Sequence, residues 1–398
     1  MIGLESRIER FNAGREPERL ALKYRKMCQS PFAFFRGTAH LFWEDLGARK
    51  RALPNSPLVW ACGDLHLENF GSFQGDNGLA YFDLNDFDEA ALAPAAWEVS
   101  RLVTSVFVAA PSLNLTGADA NELVKVFLNA YQAALGDGKA RWIERATAMG
   151  MVRTLLQRVG RRTRATLIDS RTTWQNGRRR IRIDGKHALP ATNDQRREVT
   201  RRLGKFAKLQ PDPRFFGILD VARRVAGVGS LGLSRYVVLV RGGGGRNGNA
   251  ILDVKQQAPS CLARFERVRQ PVWKSEPARV VAIQQRMQAM APAMLDAIKI
   301  GRGGYVLREL QPTTDRLSLE DARDDPRHLR SAAKAMGHVT AWAQLRSSGR
   351  QGSATADDLI SFAGIGGWQR GLIDYGRSYA AQVERDYQQF VAAQREQK

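Results

Sequence analysis

The residues best suited to chemistry lie between Trp60 and Glu89, in WACGDLHLENFGSFQGDNGLAYFDLNDFDE. A polar loop over 63–69 follows a short apolar strand. Two predicted strands, 70–74 and 79–84, are joined by a GDNG turn that is typical of a β-hairpin. The return strand ends in a second acidic loop, 85–89. We therefore expect two carboxylate-bearing loops at the same end of one hairpin.

This spacing suits phosphoryl transfer, in which a carboxylate accepts a hydroxyl proton and oxygen ligands hold magnesium. Asp64 and Asn69 stand five positions apart, the interval between the aspartate and the asparagine of the kinase catalytic loop. We predict that Asp64 is the catalytic base and that Asn69 is a magnesium ligand. The second ligand would follow the next strand, where three carboxylates are candidates: Asp83, Asp86 and Asp88.

A glycine-rich segment farther along the chain has the composition of a phosphate-binding loop. Residues 227–232, GVGSLG, match the GxGxxG pattern of kinases and of dinucleotide-binding proteins. In the latter a strand precedes the glycines and a helix follows them. Here a helix is predicted before them, from Ile218, and a strand after them, over 236–240, which favours the kinase arrangement. The expected nucleotide-binding residues of the loop are Gly227, Gly229, Ser230 and Gly232.

Lys255 is the expected companion of that loop. The turn 242–249 leads the chain into an apolar strand that carries Lys255, and in kinases a strand lysine contacts the α- and β-phosphates. The following helix, 277–290, has no glutamate in its middle to pair with this lysine. A strand over 304–310 would then lead to a hinge that offers backbone groups to adenine. The residues expected at this hinge are Glu309, Leu310 and Gln311-Pro312.

Two motifs resemble those of aminoglycoside and choline phosphotransferases, which have the protein-kinase-like fold. GDLHLEN and NDFDEA are similar to their HGDxHxxN and IDFDDA pair, and AAWEVSRL, residues 95–102, is similar to the PAWDLARL helix that follows. Together with RGTAHLFWEDL, these signatures most resemble a bacterial domain-of-unknown-function family, number 2252, over most of the chain. The resemblance makes Asp86 the preferred metal ligand, although Asp83 fits the hairpin length slightly better.

Four further residues are expected to support the acidic loops. The resemblance implies that Glu98 braces the catalytic loop and that His66 supports it through a hydrogen bond. Glu98 and Arg101 lie three positions apart on a predicted helix and can pair. Arg36 is polar in an apolar stretch; it either pairs with the acidic residues at 44–45 or orients the acidic loops.

The order of these elements is unusual for a kinase. The catalytic-loop elements, 60–89, precede the glycine loop and the lysine, which come first in ordinary kinases. We therefore expect an α+β, two-lobed protein-kinase-like fold with circularly permuted order, which is acceptable where the joined ends lie on the surface. Residues 1–205 would form the larger lobe, 206–315 a small antiparallel β lobe that binds the nucleotide, and 316–398 helices that complete the larger lobe.

Composition limits the other possibilities. The 398 residues are 43% hydrophobic, which allows a sizeable core. Three scattered cysteines form no CxxC pair, so neither a disulfide framework nor structural zinc is indicated, and a reducing cytoplasm is the expected location. No apolar run approaches the roughly 18 residues of a membrane span, and the charged N-terminus is unlike a signal peptide. The net charge of +21, with a basic tract over 158–202, predicts an anionic partner or a solvated face.

We therefore predict an enzyme, an ATP- and magnesium-dependent phosphotransferase that acts on a small-molecule or protein hydroxyl. Two alternatives stay open. Asp64-x-His66 also fits the DxH motif of binuclear metallophosphatases, although such sites need further histidines and the chain has only five in all. The net charge and the missing helix glutamate also fit a nucleotide- or nucleic-acid-binding protein without catalytic activity.

Overall fold

The computed structural model describes residues 3–49, 52–244, 248–311, 316–318 and 325–396. The fold is α+β, as predicted, with helices around small antiparallel sheets. The helices are α1 (Leu4–Asn12), α2 (Pro17–Met27), α3 (Pro31–Gly37), α4 (Ala39–Ala48), α5 (Ala95–Ala109), α6 (Gly117–Asp137), α7 (Gly150–Arg161), α8 (Arg164–Arg171), α9 (Asn193–Ala207), α10 (Cys261–Phe265), α11 (Glu276–Met287), α12 (Pro326–Arg346), α13 (Ala356–Gly364) and α14 (Trp368–Glu396). The strands are β1 (Leu58–Ala61), β2 (Phe70–Gln74), β3 (Ala80–Leu84), β4 (Ala91–Pro94), β5 (Ile143–Glu144), β6 (Thr172–Gln175), β7 (Arg178–Ile181), β8 (Ala188–Pro190), β9 (Ile218–Arg224), β10 (Arg235–Val240), β11 (Ala250–Gln256), β12 (Asp296–Ile300) and β13 (Gly303–Glu309).

The acidic hairpin forms as predicted. β2 pairs antiparallel with β3, and Phe70 lies opposite Leu84. Because this pair closes the hairpin, the loop before β2 and the loop after β3 leave it at the same end. The other ends of the two loops are also joined, since β1 pairs with β4 and Ala61 lies opposite Ala91. Helix α5 begins directly after β4 and therefore runs beside both loops.

The glycine loop connects two neighbouring strands of a six-stranded sheet with the order β12-β13-β11-β10-β9-β8. The helix predicted from Ile218 is wrong, because this segment is strand β9. Val221 lies opposite Val238 of β10, and both side chains are buried. This cross-strand burial decides the conformation, and the local sequence pattern does not reveal it. Helix α9 covers one face of the sheet, where Val199 and Leu203 join its apolar side chains.

The sequence pattern also predicts helices over 1–29, 32–46 and 139–159 and a hairpin over 181–189, and the structure corrects these four predictions. The helix expected over 139–159 begins only at Gly150, because Ile143 and Glu144 pair with β3. The hairpin expected over 181–189 does not form; β7 pairs back with β6, and β8 joins the large sheet beside β9. The single helices expected over 1–29 and 32–46 are each two helices, and Gly14 with φ +77° separates the first pair.

Long helices form the largest apolar core. The side chains of α6 and α12 meet there, with Leu128 and Tyr131 of the former buried together with Val339 and Ala343 of the latter. The sequence pattern also predicts helices at about 193–208, 327–347, 355–363 and 367–395, and these are confirmed to within about a residue at each end. No helix in the described ranges combines the length and apolar character that crossing a membrane requires.

Candidate active site

A cavity of about 690 Å³ brings the two acidic loops and the glycine loop together. Most of the residues predicted from the sequence lie on its wall: Arg36, Asp64, His66, Asn69, Asp86, Asp88, Gly227, Gly229 and Ser230. These residues come from segments that are distant in sequence, and the pairing of β1 with β4 and of β2 with β3 positions the acidic ones.

The backbone of the first loop is fixed at Gly63. Its φ of +81° is in the region that favours glycine, and a Cβ atom there would lie 1.8 Å from the carbonyl oxygen of Glu89. Glu98 Oε1 accepts hydrogen bonds from the backbone N–H of Cys62, at 2.5 Å, and of Gly63, at 3.4 Å. The bracing contact expected of Glu98 is therefore present. Burial raises the pKa of the Glu98 carboxyl.

Asn69 joins the two acidic loops to each other. Its Nδ2 donates to the carbonyl oxygens of Asp64 and Asp86, each at 3.1 Å. Its Oδ1 accepts the backbone N–H of Asp86 at 2.7 Å and that of Asn85 at 3.3 Å. The oxygen that was expected to bind magnesium is thus engaged by backbone donors, and the side chain acts as a clamp between the loops.

Asp64 is held by a buried arginine and faces the cavity. Arg101 Nε donates to Asp64 Oδ1 at 2.6 Å, and Arg101 Nη2 donates to the carbonyl oxygen of Phe35 at 3.0 Å. The guanidinium also lies over the Phe35 ring, 4.0 Å from its centroid. The predicted pairing of Arg101 with Glu98 is replaced by this pair, because Arg101 turns toward the loop. Burial raises the pKa of the Asp64 carboxyl, and the charge of Arg101 offsets this only in part.

His66 and Arg36 support the same loop. His66 Nδ1 accepts the backbone N–H of Glu68 at 3.1 Å, which is the kind of hydrogen bond expected of it. Burial, followed by the charge of Arg36, lowers the pKa of His66 well below its ordinary value, so the ring is neutral at pH 7. Arg36 pairs with Glu68, whereas the acidic residues at 44–45 pair with Arg7. Of the two roles considered for Arg36, the contact with the acidic loop is therefore the one present.

Lys255 lies against the second acidic loop. Its Nζ is 3.2 Å from Asp86 Oδ1 and also pairs with Asp88. A strand lysine and a metal-binding aspartate that serve one nucleotide must lie within about one triphosphate length of each other, on the order of 10 Å, and Lys255 and Asp86 meet this condition. For Asp86, Lys255 and then Arg308 outweigh the effect of burial, so its pKa lies well below the ordinary value. Burial and the charge of Asp86 raise the pKa of Asp88.

Helix α11 has no glutamate beside Lys255, but it carries Arg279, which contacts the second acidic loop and which sequence reasoning did not single out. Arg279 Nη2 donates to the carbonyl oxygens of Asp88, at 2.8 Å, and of Ala258, at 3.2 Å, and Nη1 donates to that of Ala90. Arg279 therefore ties the second acidic loop to the segment after β11. The sequence shows only an arginine near the start of a predicted helix. Its partners cannot be predicted from the sequence, because they are backbone carbonyl oxygens, which every residue has.

Two further cations hold the glycine loop and were also missed. Arg15 Nη1 donates to the carbonyl oxygens of Gly229, at 2.7 Å, and Leu231, at 2.8 Å, and Lys23 Nζ donates to that of Gly229 at 3.2 Å. Gly232 does not line the cavity; its φ is +94°, and a Cβ atom there would meet the Arg15 side chain. The loop is thus packed on the N-terminal helices, which lie about 200 residues away in sequence.

Three predicted site residues lie elsewhere. Asp83 is buried away from the cavity, where its Oδ2 accepts Arg346 Nη2 and the backbone N–H of Ala289, both at 3.0 Å. Leu310 is buried in an apolar cluster, and its backbone N–H donates to the carbonyl oxygen of Ile251 at 2.8 Å. Glu309 lines a separate cavity of about 530 Å³. Pro312 of the expected hinge lies outside the described residues.

The acidic loops do not form a preassembled metal centre. Within the described part of the chain, no three His, Cys, Asp or Glu side chains converge as a group that could hold a metal ion. Asp86 and Asp88 are the carboxylates that share a cation, and that cation is the ammonium of Lys255. A metal at this position would therefore need oxygen ligands from a bound molecule and from water.

Comparison with models of known protein families identifies one matching family. Residues 15–393 match the family described as "Uncharacterized protein conserved in bacteria (DUF2252)". The chain belongs to this family. The match extends over both acidic loops, the glycine loop, Lys255 and α11, whereas Arg10, Phe11, Ala13 and Gly14 of the cavity wall precede it. No curated protein and no solved structure matches the chain.

Proposed function

We propose that this member of the family is an ATP- and magnesium-dependent phosphotransferase with a circularly permuted, two-lobed kinase-like fold. The observation that carries the proposal is the ion pair between Lys255 and Asp86. It joins the sheet of the glycine loop to the acidic hairpin, although 169 positions separate the two residues. In kinases a strand lysine and a metal-binding aspartate act on the same nucleotide, so they must face one cleft.

The order of elements within the large sheet also supports the proposal. The glycine loop joins β9 to β10, Lys255 follows on β11, and helix α11 comes next. In kinases the glycine loop likewise precedes a strand lysine and then a helix. The acidic hairpin, which follows these elements in kinases, precedes them here. We infer that the chain carries the same two parts in exchanged order.

Asp86 and Asp88 are the residues that would hold magnesium. Magnesium is usually bound by one or two carboxylates, with phosphate oxygens and water as its other ligands, so a three-carboxylate cage is not required. The two side chains already share one cation, Lys255. When bound, the metal would neutralise charge on the β- and γ-phosphates. We assign Asn69 to fixing the loops that carry these ligands.

Asp64 would accept the proton of the acceptor hydroxyl. Arg101 holds Asp64 Oδ1, Asp64 Oδ2 lies 4.0 Å from His66 Nε2, and Asp64 lines the cavity. A raised pKa makes a carboxylate a stronger base, and its loop is held rigidly by Asn69 and Glu98. The protein's contribution would therefore be positioning and charge neutralisation. The cavity volume is in the usual range for small-molecule sites.

Titration calorimetry with ATP tests this function. Carboxylates at the site repel phosphates, so we expect binding to be weak without magnesium and at least about tenfold tighter with it. Asp86→Asn should abolish the magnesium-dependent part and leave the fold intact. Asp194→Asn, at an exposed carboxylate on α9, is the matched control and should bind like the unaltered protein. Equal affinity with and without magnesium would show that the metal assignment is wrong.

A nucleotide-binding protein without turnover is the second candidate. The observation that favours it is that Lys255 pairs with Asp86 and Asp88, where active protein kinases have a pair between the strand lysine and a glutamate of the following helix. The apolar cluster at Leu310, with Ile168 and Ile181, covers the part of the sheet expected to receive adenine. If magnesium-dependent ATP binding is present but no phosphate or adenylate is transferred or released during long incubation, this candidate replaces the first. Adenine would in either case have to bind along the main cavity.

A further inference from the structure

A small recess beneath the large sheet adjoins the main cavity. Its volume is about 30 Å³, and Asp86 and Arg316 line both spaces. The remaining charged side chains of its wall are all cationic: Arg224 of β9, Arg235 of β10, Lys255 of β11 and Arg308 of β13. Each of four neighbouring strands thus contributes one cationic side chain to the wall of the recess.

One buried carboxylate serves three of these guanidiniums. Asp253 lies two positions before Lys255, on the same face of β11, and is 1% exposed. Arg235 binds it through two nitrogens, at 2.8 and 2.5 Å, and Arg224 Nη1 lies 2.5 Å from Asp253 Oδ2. Arg308 Nε is 3.9 Å from the same oxygen. The acidic charge of Asp253 is therefore shared among more cations than it can neutralise.

The recess consequently has an excess of positive charge. Six cationic side chains, the five of the recess wall and Arg36, lie near four carboxylates: Asp86, Asp88, Asp253 and Glu68. Within the described residues no carboxylate pairs with Arg316, whose backbone forms a bridge with Gly71 of β2. Burial lowers the pKa of Arg224 to about 9 and that of Arg316 to about 10. Buried cations in excess of their counter-charges are costly, so a bound anion would relieve this arrangement.

The neighbouring apolar cluster limits what the recess can hold. Ile251, Val237 and Leu310 lie two positions from Asp253, Arg235 and Arg308, respectively, and therefore on the same face of the sheet. They pack against Ile168 and Ile181. This packing closes the side of the recess that leads toward the expected adenine position. A ligand must therefore enter from the main cavity, and it must be a small anion rather than a nucleoside.

We propose that the recess formed by Arg224, Arg235, Arg308 and Arg316 is a binding site for a single phosphate group. Guanidinium groups suit this ligand because they present paired donors that match the oxygens of a phosphate. The group is either a free phosphate or the terminal phosphate of a larger molecule that extends into the main cavity. This inference goes beyond the phosphotransferase function and does not depend on it, since it needs neither magnesium nor a nucleotide.

Calorimetric titration of the full chain with inorganic phosphate, without magnesium or nucleotide, tests the proposal. We expect saturable binding that weakens as ionic strength rises. Arg308→Gln and Arg316→Gln should each weaken it on the order of tenfold or more, because each removes a charge-assisted hydrogen bond. Arg197→Gln is the control, since this side chain on α9 is 78% exposed and distant from the recess. Its affinity for phosphate should equal that of the unaltered protein.

A second titration identifies the source of the phosphate group. If a non-hydrolysable ATP analogue with magnesium competes with inorganic phosphate, the recess takes the terminal phosphate of the nucleotide. If both bind together, the recess takes free phosphate or a phosphate carried by a molecule other than the nucleotide. Absence of phosphate binding by the unaltered protein would overturn the proposal, and so would equal affinities for Arg316→Gln, Arg308→Gln and the control. Neither result would bear on the magnesium-dependent binding of ATP, which tests the phosphotransferase function.

Discussion

At the scale of single residues, the environments of two site carboxylates shift their pKa values in opposite directions. Asp64 is paired with Arg101 and has a raised pKa, whereas Asp86 is surrounded by Lys255 and further cations and has a lowered one. A base needs affinity for a proton, and a metal ligand must stay ionised. The two shifts therefore match the two roles that the sequence spacing predicts for these residues.

The pH dependence of the proposed phosphoryl transfer would report on Asp64. Only the ionised carboxylate accepts a proton, so we expect kcat/KM to fall as pH decreases through the pKa of Asp64. Because burial raises this pKa above the ordinary value of 3.8, the fall should occur at a higher pH than for an exposed aspartate. Arg101→Gln removes the opposing charge and should move the acidic limb of the profile further upward. A limb that moves downward would contradict the role of Asp64.

Two alanine variants separate phosphoryl transfer from metal-dependent phosphate-ester hydrolysis. Lys255→Ala should abolish ATP-dependent transfer, because it removes the cation that contacts the phosphates. His66→Ala should reduce activity far less and release no metal, because His66 Nδ1 accepts a loop hydrogen bond. Metal analysis and a phosphatase assay are the measurements. The opposite pattern, with loss of bound manganese or zinc and of phosphatase activity in His66→Ala alone, would favour the esterase.

At the scale of elements, the sequence predicted the site better than its surroundings. The hairpin β2–β3 was predictable because a GDNG turn and alternating strands are local signals. Strand β9 was mistaken for a helix, and the supporting contacts of Arg279 and Arg15 were missed, because all of these depend on distant partners. Local patterns thus locate candidate chemistry, whereas the contacts that hold it arise only in the folded chain.

The charged face of the large sheet should be important for stability. Asp253→Asn leaves two buried guanidiniums, Arg224 and Arg235, without their carboxylate. Removing one partner of a buried ion pair costs about 3–5 kcal/mol, and we expect a loss of that order in the free energy of unfolding, measured with urea. Asp194→Asn breaks an exposed pair with Arg197 and should cost no more than about 1 kcal/mol. Similar midpoints for the two variants would contradict this role of Asp253.

At the scale of the whole molecule, helices from the N-terminal and the C-terminal parts of the chain both contact the site. The N-terminal helices hold the glycine loop through Arg15 and Lys23, and Gln344 of α12 donates to Glu98 Oε2 at 3.3 Å. Contacts over more than 200 positions therefore fix the loops of the cavity. Such an arrangement is compatible with the proposed exchange in the order of two lobes, because chain ends at a surface can be joined or opened without rearranging a buried site.

The most direct test of the phosphotransferase proposal is a crystal structure of the full chain with magnesium and a non-hydrolysable ATP analogue. We predict a triphosphate in the cavity of about 690 Å³, with the glycine loop on its phosphates, magnesium on Asp86, and Lys255 contacting the phosphates from the adjoining recess. Asp64 should lie beside the γ-phosphate with its carboxylate free toward an acceptor. A nucleotide bound away from these residues, or density for none at saturating concentration, would contradict the proposed function.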